Sequence, residues 1–169
     1  AVNSSGSFEE GSGTVATGWF RDPVHVRSSD KVHDGFWALK STYRGIGALA
    51  SSTTFAVTPN TEYIYSGWIW KDDNNGDAYI DLNDVEGDVN LIVSSSKGGG
   101  LWVYVSETWN SGTNTTATIT IKNTVPGNEG NDIGVDGIFF GLCNRSVDIA
   151  PSDDIGQCAQ LGTIQAVTI

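Results

Sequence analysis

The sequence predicts an all-β protein, a jelly-roll β-sandwich of two antiparallel sheets. Short runs of four to eight residues with alternating apolar and polar side chains recur along all but the C-terminal part of the chain. Turn signals rich in Gly, Asn, Asp and Pro separate these runs, and glycine accounts for 21 of the 169 residues. No stretch has the 3.6-residue period of a long amphipathic helix. Regularly spaced short strands of this kind are typical of sandwiches and jelly rolls.

The alternating runs, taken in order, predict eleven strands. They lie near residues 5–9, 15–20, 24–28, 36–43, 47–57, 62–71, 77–83, 88–94, 101–107, 115–122 and 134–142. We expect residues 1–142 to form one sandwich. Residues 143–169 form a C-terminal tail or a closing strand of the same domain.

Composition indicates where the protein is located and which partners it does not bind. The net charge of −11 argues against nucleic acid or anionic lipid as a partner. No apolar run reaches the roughly 18 residues of a membrane span. Cys143 and Cys158 are the two cysteines, and a bridge between them would close the tail as one short loop, whereas the alternative is two free thiols. We expect a secreted, monomeric protein.

Six tryptophans and five tyrosines are more than a core of this size needs. Side chains of a half-buried strand alternate between core and solvent, so the apolar positions fix the phase of each strand. The phases place three groups outward: Trp68 and Trp70 in one strand, Tyr79 and Asp81 in another, and Trp102 and Tyr104 in a third.

Exposed aromatics in a group mark a binding surface, and flat rings can stack against the apolar faces of sugars. The sequence therefore predicts a ligand platform of Trp68, Trp70, Tyr79, Trp102 and Tyr104, with Asp81 as a polar contact. Trp19, Trp109 and Trp37 are assigned mainly to packing. Two alternatives stay open, because the aromatic strands could belong to opposite sheets or loops could cover the rings.

Five short motifs occur in a fixed order along the chain. Ser7-Phe8-Glu9-Glu10-Gly11 precedes Gly18-Trp19, and then come Gly35-Phe36-Trp37-Ala38-Leu39, Pro59-Asn60-Thr61-Glu62-Tyr63 with Ser66 and Trp68, and Asp136 before an apolar strand. In this order and spacing, residues 3–142 resemble the carbohydrate-binding modules of the galactose-binding-like β-sandwich type, as in families 4, 16 and 22.

The resemblance implies one structural calcium ion. Carried over residue by residue, Glu9, Asp30 and Asp136 would supply carboxylates, and backbone carbonyls near Ser7 and His33 would supply further oxygens. Calcium prefers six to eight oxygen ligands of these types. Asp34 could replace Asp30, and the alternative interpretation is that these are solvated surface acids. A second acidic run, residues 73–84, has acids spaced as in an EF-hand-like calcium loop. A β-hairpin with an Asn-Gly turn explains this run more simply.

The sequence favours a non-catalytic function. A glycosidase needs two carboxylates facing each other across a cleft, and no such pair or nucleophile motif can be identified. The expected protein binds a polysaccharide or oligosaccharide, a neutral glycan in view of the acidic charge, and is tethered to a polysaccharide-degrading enzyme. The alternatives are a structural or adhesive β-sandwich of a secreted or surface protein and, third, a small jelly-roll lyase or hydrolase.

Overall fold

The computed structural model describes residues 6–21, 25–41, 47–52, 54–72, 78–82, 90–93, 99–123 and 132–143. These residues form fourteen strands and contain no helix, and hence none that could cross a membrane. In chain order the strands are β1 (Gly11–Ser12), β2 (Val15–Ala16), β3 (Trp19–Arg21), β4 (His25–Ser28), β5 (Ala38–Ser41), β6 (Gly47–Ser52), β7 (Phe55–Ala56), β8 (Glu62–Lys71), β9 (Ala78–Leu82), β10 (Asn90–Val93), β11 (Trp102–Asn110), β12 (Thr116–Ala117), β13 (Ile119–Asn123) and β14 (Ile133–Leu142).

Two five-stranded sheets carry most of this structure. Sheet I has the strand order β11-β8-β14-β5-β4, and sheet II has the order β10-β9-β13-β6-β3. Two short ribbons, β1-β2 and β7-β12, complete the described strands. Every described strand pairing is antiparallel. The predicted fold class, an all-β sandwich of two antiparallel sheets, is confirmed.

The core lies between the inward faces of the two sheets. Sheet I contributes Tyr65, Ile69 and Phe140, and sheet II contributes Ile80, Leu82, Ile119 and Ile121, all of them completely buried. Tyr63, Tyr65 and Ile69 of β8 belong to this core, so the alternate residues Trp68 and Trp70 lie on the opposite face of the sheet. Trp19 and Trp109 are also buried, as predicted.

Some strand boundaries differ from the prediction. The run 15–20 is divided into β2 and β3 by Gly18, whose φ is 79°, a value that glycine adopts without strain. The predicted strand near 5–9 is wrong for its described residues 6–9, which form a turn and an irregular segment. Phe8 has a φ of 57° there, and an extended strand cannot continue through a left-handed residue.

The C-terminal part of the prediction is described only at its first residue. The Cys143 N–H donates to the carbonyl of Glu62 at 3.0 Å, and Cys143 is disulfide-bonded. Cys158 and the rest of the predicted tail lie outside the described residues.

Gly67 in β8 marks a point of close contact between the sheets. A Cβ at this position would lie 2.5 Å from the Ile138 Cδ1 atom and 2.8 Å from the Ile80 Cδ1 atom. We therefore expect Gly67→Ala to lower the free energy of unfolding by about 1–3 kcal/mol, the usual cost of overpacking a dense core. Urea denaturation monitored by tryptophan fluorescence measures this change.

The control is the double variant Gly67→Ala/Ile138→Val, which removes one of the two clashing methyl groups. Ile138→Val alone should cost about 0.5–1.5 kcal/mol. If overpacking is the cause, the double variant loses less stability than the sum of the two single losses. Simple additivity would contradict the packing explanation.

Candidate functional site

The outward face of sheet I brings four of the predicted ligand residues together. Trp102 of β11 pairs with Trp70 of β8, which pairs with Gly134 of β14. Two residues further along the strands, Tyr104 pairs with Trp68, which pairs with Asp136. Directly paired residues have their side chains on the same face. Two aromatic pairs therefore lie side by side at the β11 edge of this sheet.

The indole of Trp102 extends across the sheet as far as β14. Its Cη2 atom is 3.2 Å from the position that a Cβ on Gly134 would occupy, although β11 and β14 are separated by β8. Two strand spacings amount to roughly 10 Å, so the ring must extend along the sheet to reach this far. Trp70, the residue between the two, is only 6% exposed. The Trp70 Cβ atom is 3.6 Å from the same position on Gly134, so Trp102 reaches past the β8 position that Trp70 occupies, and Trp102 is itself half-buried.

His33 forms a wall beside the two tryptophans. Its imidazole stacks on Trp68, with ring centroids 3.8 Å apart and an interplanar angle of 17°. The same imidazole stands edge-on to Trp102, at 5.7 Å and 73°. Tyr104 packs against Trp68 at 5.2 Å and remains 38% exposed. We call Trp102, Trp68, Tyr104 and His33 the Trp102 platform.

A loop of residues 29–37, the covering loop, brings His33 to this face. Two carboxylates hold it by accepting hydrogen bonds from its backbone. Asp136 Oδ2 accepts from the N–H groups of His33 (3.0 Å) and Asp34 (3.1 Å). Glu9 Oε1 accepts from those of Phe36 and Trp37, each at 2.9 Å. Charged acceptors make the stronger backbone hydrogen bonds, so these four contacts define the position of the loop.

The Asp136 carboxyl is buried under the loop. Burial raises its pKa above the usual value, because the charged form loses its hydration. The N–H groups of Asp34, His33 and Gly137 and the charge of His33 act in the opposite direction. The Gly137 N–H donates to Asp136 Oδ1 at 2.8 Å, so both carboxylate oxygens accept hydrogen bonds.

The five predicted calcium ligands are not all brought together. Asp30 is exposed and forms an ion pair with Lys40, which raises the pKa of Lys40 and lowers that of Asp30, chiefly through their hydrogen bond. Ser7 is exposed and lies next to Phe8 in the N-terminal turn. Within the described ranges, no group of three or more His, Cys, Asp or Glu side chains is arranged to hold a metal ion. Glu9 and Asp136 contact the same loop, where both carboxylates accept hydrogen bonds from backbone N–H groups.

The remaining two ligand residues, Tyr79 and Asp81, belong to β9 of sheet II. The predicted six-residue platform is therefore divided between the two sheets. Asp81 is 3% exposed and pairs with Asn90 and with Thr120, which is also buried. Thr120 pairs in turn with Ser51, and Ser51 pairs with Phe20, which is 71% exposed. This row crosses all five strands of sheet II and is a second candidate surface.

Sequence reasoning missed three residues that shape these surfaces. His33 was predicted only as a source of a backbone carbonyl, yet its ring contacts two tryptophans. Gly134 was not singled out, although the absence of a side chain gives room to Trp102. Arg27, 7% exposed, has its guanidinium carbon 3.8 Å from the centroid of the Trp37 ring. A single basic residue in an alternating strand carried no signal that it would be buried.

Comparisons with known proteins identify the fold. No family model matches the sequence, and no curated protein matches it. Among solved structures, the C-terminal family 22 carbohydrate-binding module of Clostridium thermocellum Xyn10B is similar with a TM-score of 0.59 at 14% identity, over 86% of this chain and 99% of that one. The CBM22-1 xylan-binding domain of Paenibacillus barcinonensis Xyn10C gives 0.55 at 17% identity, over 83% and 93%.

A third similar structure is TmCBM61 in complex with β-1,4-galactotriose, with a TM-score of 0.53 at 14% identity, over 81% of this chain and 91% of that one. Identities this low establish a common fold and nothing finer. The chain therefore has the β-sandwich fold found in carbohydrate-binding modules, as the resemblance of its motifs implies.

Proposed function

We propose that this chain is a non-catalytic carbohydrate-binding module that binds a polysaccharide or oligosaccharide on the Trp102 platform. The observation that carries the proposal is the position of Trp102, whose half-buried indole extends across the outward face of sheet I beside His33, with the exposed ring of Tyr104 on the same face. A sugar ring needs an open aromatic face and a few polar groups around it. The imidazole of His33 and the hydroxyl of Tyr104 are the polar groups available there.

Similar structures support this class of ligand. One of the similar structures is a xylan-binding domain and another is a complex with β-1,4-galactotriose, and both share the fold of this chain. The module would be secreted and would hold an attached polysaccharide-degrading enzyme near its polymer outside the cell. Its sugar site contains no carboxylate pair of the kind that glycoside hydrolysis requires among the described platform residues.

We retain the calcium ion expected from the sequence, but with two carboxylate ligands instead of three. Glu9 and Asp136 would hold the ion with backbone carbonyls, and Asp30 would not take part because it pairs with Lys40. The ion would cross-link the N-terminal segment, the covering loop and β14. Its role is structural.

The location of the sugar site can be tested by substitution. We expect Trp102→Ala to weaken binding to a soluble polysaccharide at least tenfold, since losing a central aromatic contact commonly costs that much. Affinity electrophoresis against xylan, β-glucan, mannan and galactan identifies the ligand, and isothermal titration calorimetry then measures the dissociation constant. Tyr104→Ala should give a smaller loss, because this ring lies at the margin.

Controls on sheet II are Phe20→Ala, which removes a more exposed ring, and Asp81→Asn. Both should leave the affinity within about twofold of the parent if the Trp102 platform is the site. The opposite result, in which these two variants lose binding and Trp102→Ala retains it, would move the site to sheet II. If the parent protein is retarded by none of the polysaccharides, the adhesive or structural alternative replaces the proposal.

Calcium is tested separately by thermal unfolding. With calcium at about 100 times its dissociation constant, a chelator should remove about 2.7 kcal/mol of stabilisation and lower the midpoint by roughly 5–10 °C. Glu9→Gln should abolish this sensitivity, because the amide oxygen can still accept from Phe36 and Trp37 but carries no charge. Asp30→Asn should retain it. A parent protein whose midpoint is unchanged by chelator would exclude a structural ion.

A further inference from the structure

The N-terminal segment contains a strained residue in the core. Phe8 has a φ of 57°, which bulky residues rarely adopt, and its side chain is completely buried. Its ring packs against Trp19 with centroids 5.3 Å apart. Such a conformation persists only where the surrounding contacts determine it, and it is often found where function requires a fixed geometry.

Arg27 of β4 supplies the contacts that hold this turn. Its Nε atom donates to the carbonyl oxygen of Phe8 at 2.6 Å, and its Nη2 atom donates to that of Glu9 at 2.6 Å. The guanidinium is buried, and its other contact is the face of Trp37 at 3.8 Å. One planar group thus links the N-terminal turn to the end of the covering loop.

Arg27 is connected to the Trp102 platform through Glu9 and the covering loop. By fixing the backbone of Phe8 and Glu9, Arg27 directs the Glu9 carboxylate at the N–H groups of Phe36 and Trp37. The carboxylate lies against Gly35, where a Cβ would collide with it. These contacts hold the C-terminal half of the covering loop, and His33 lies two residues before Gly35 in the same loop. Asp136 holds His33 directly through its own N–H, and the contacts from Arg27 and Glu9 fix the loop on the C-terminal side of His33.

We propose that Arg27 is a positioning residue that holds the covering loop against sheet I and thereby sets the place of His33 on the Trp102 platform. The second part rests on the sugar-binding function proposed above. Lysine cannot replace arginine in this role. The lysine ammonium is a compact point charge. The planar guanidinium of arginine can donate to two carbonyls and at the same time lie against an aromatic face, as it does here.

The test compares Arg27→Lys and Arg27→Met with Lys40→Met. The control removes another cation that contacts the covering loop, but its ion pair with Asp30 is exposed, and exposed pairs contribute little. Amide hydrogen exchange followed by NMR reports the hydrogen bonds of Phe36 and Trp37 directly. We expect exchange at both amides to become about tenfold faster in the two Arg27 variants and to stay unchanged in the control.

The same variants are then titrated with the polysaccharide that the parent protein binds, at a temperature well below each midpoint. Weaker binding in both Arg27 variants, with the control unchanged, supports the proposal. Unchanged exchange at Phe36 and Trp37 overturns it, whatever the sugar result. Faster exchange with unchanged affinity overturns the link to the platform. If the parent binds no glycan, the sugar-binding function fails, and the exchange result still decides whether Arg27 positions the loop.

Discussion

The outward face of sheet I depends on two carboxylates that accept hydrogen bonds from the covering loop. Glu9 and Asp136 are 127 residues apart in sequence, yet both contact residues 33–37. A loop of this length has many conformations of similar energy, and four hydrogen bonds to charged acceptors select one of them. The cost is a buried carboxyl at Asp136, which remains acceptable because three N–H groups surround it.

This arrangement changes the meaning of the aromatic excess. Trp68 and Trp70 are outward-facing, but His33 stacks on the first and the second is buried. The face therefore contains a small second core, formed by the loop and the sheet, and only its outermost rings meet solvent. Packing and binding are not exclusive interpretations here. A ring that is fixed by neighbours on one face loses little conformational entropy when a ligand stacks on the other.

The sequence predicted what local periodicity determines and missed what distant pairing determines. The phases of β8 and β11 follow from Tyr65, Ile69 and Val103, so the outward positions of Trp68 and Trp102 could be predicted. Tyr79 and Asp81 were grouped with them because their phase is also outward, but phase does not say to which sheet a strand belongs. That choice depends on which strands pair, and β9 pairs with β10 and β13. The strand near 5–9 failed for a related reason, because contacts from Arg27 override the local preference of Phe8 for extended backbone.

The net charge of the chain differs in meaning from the charge close to the Trp102 platform. A net charge of −11 suggests an acidic surface that repels anionic glycans. Several of these charges are partly offset, since Glu9 and Asp136 accept hydrogen bonds from the covering loop and Asp30 forms an exposed ion pair with Lys40. Near the platform, the Lys31 ammonium lies 5.4 Å from the centroid of the Trp70 ring. The electrostatic field at Trp102 therefore depends on the nearest polar and charged groups, which are Lys31, His33 and the acidic side chains near them. The formal charge of the whole chain is a poor guide to this field.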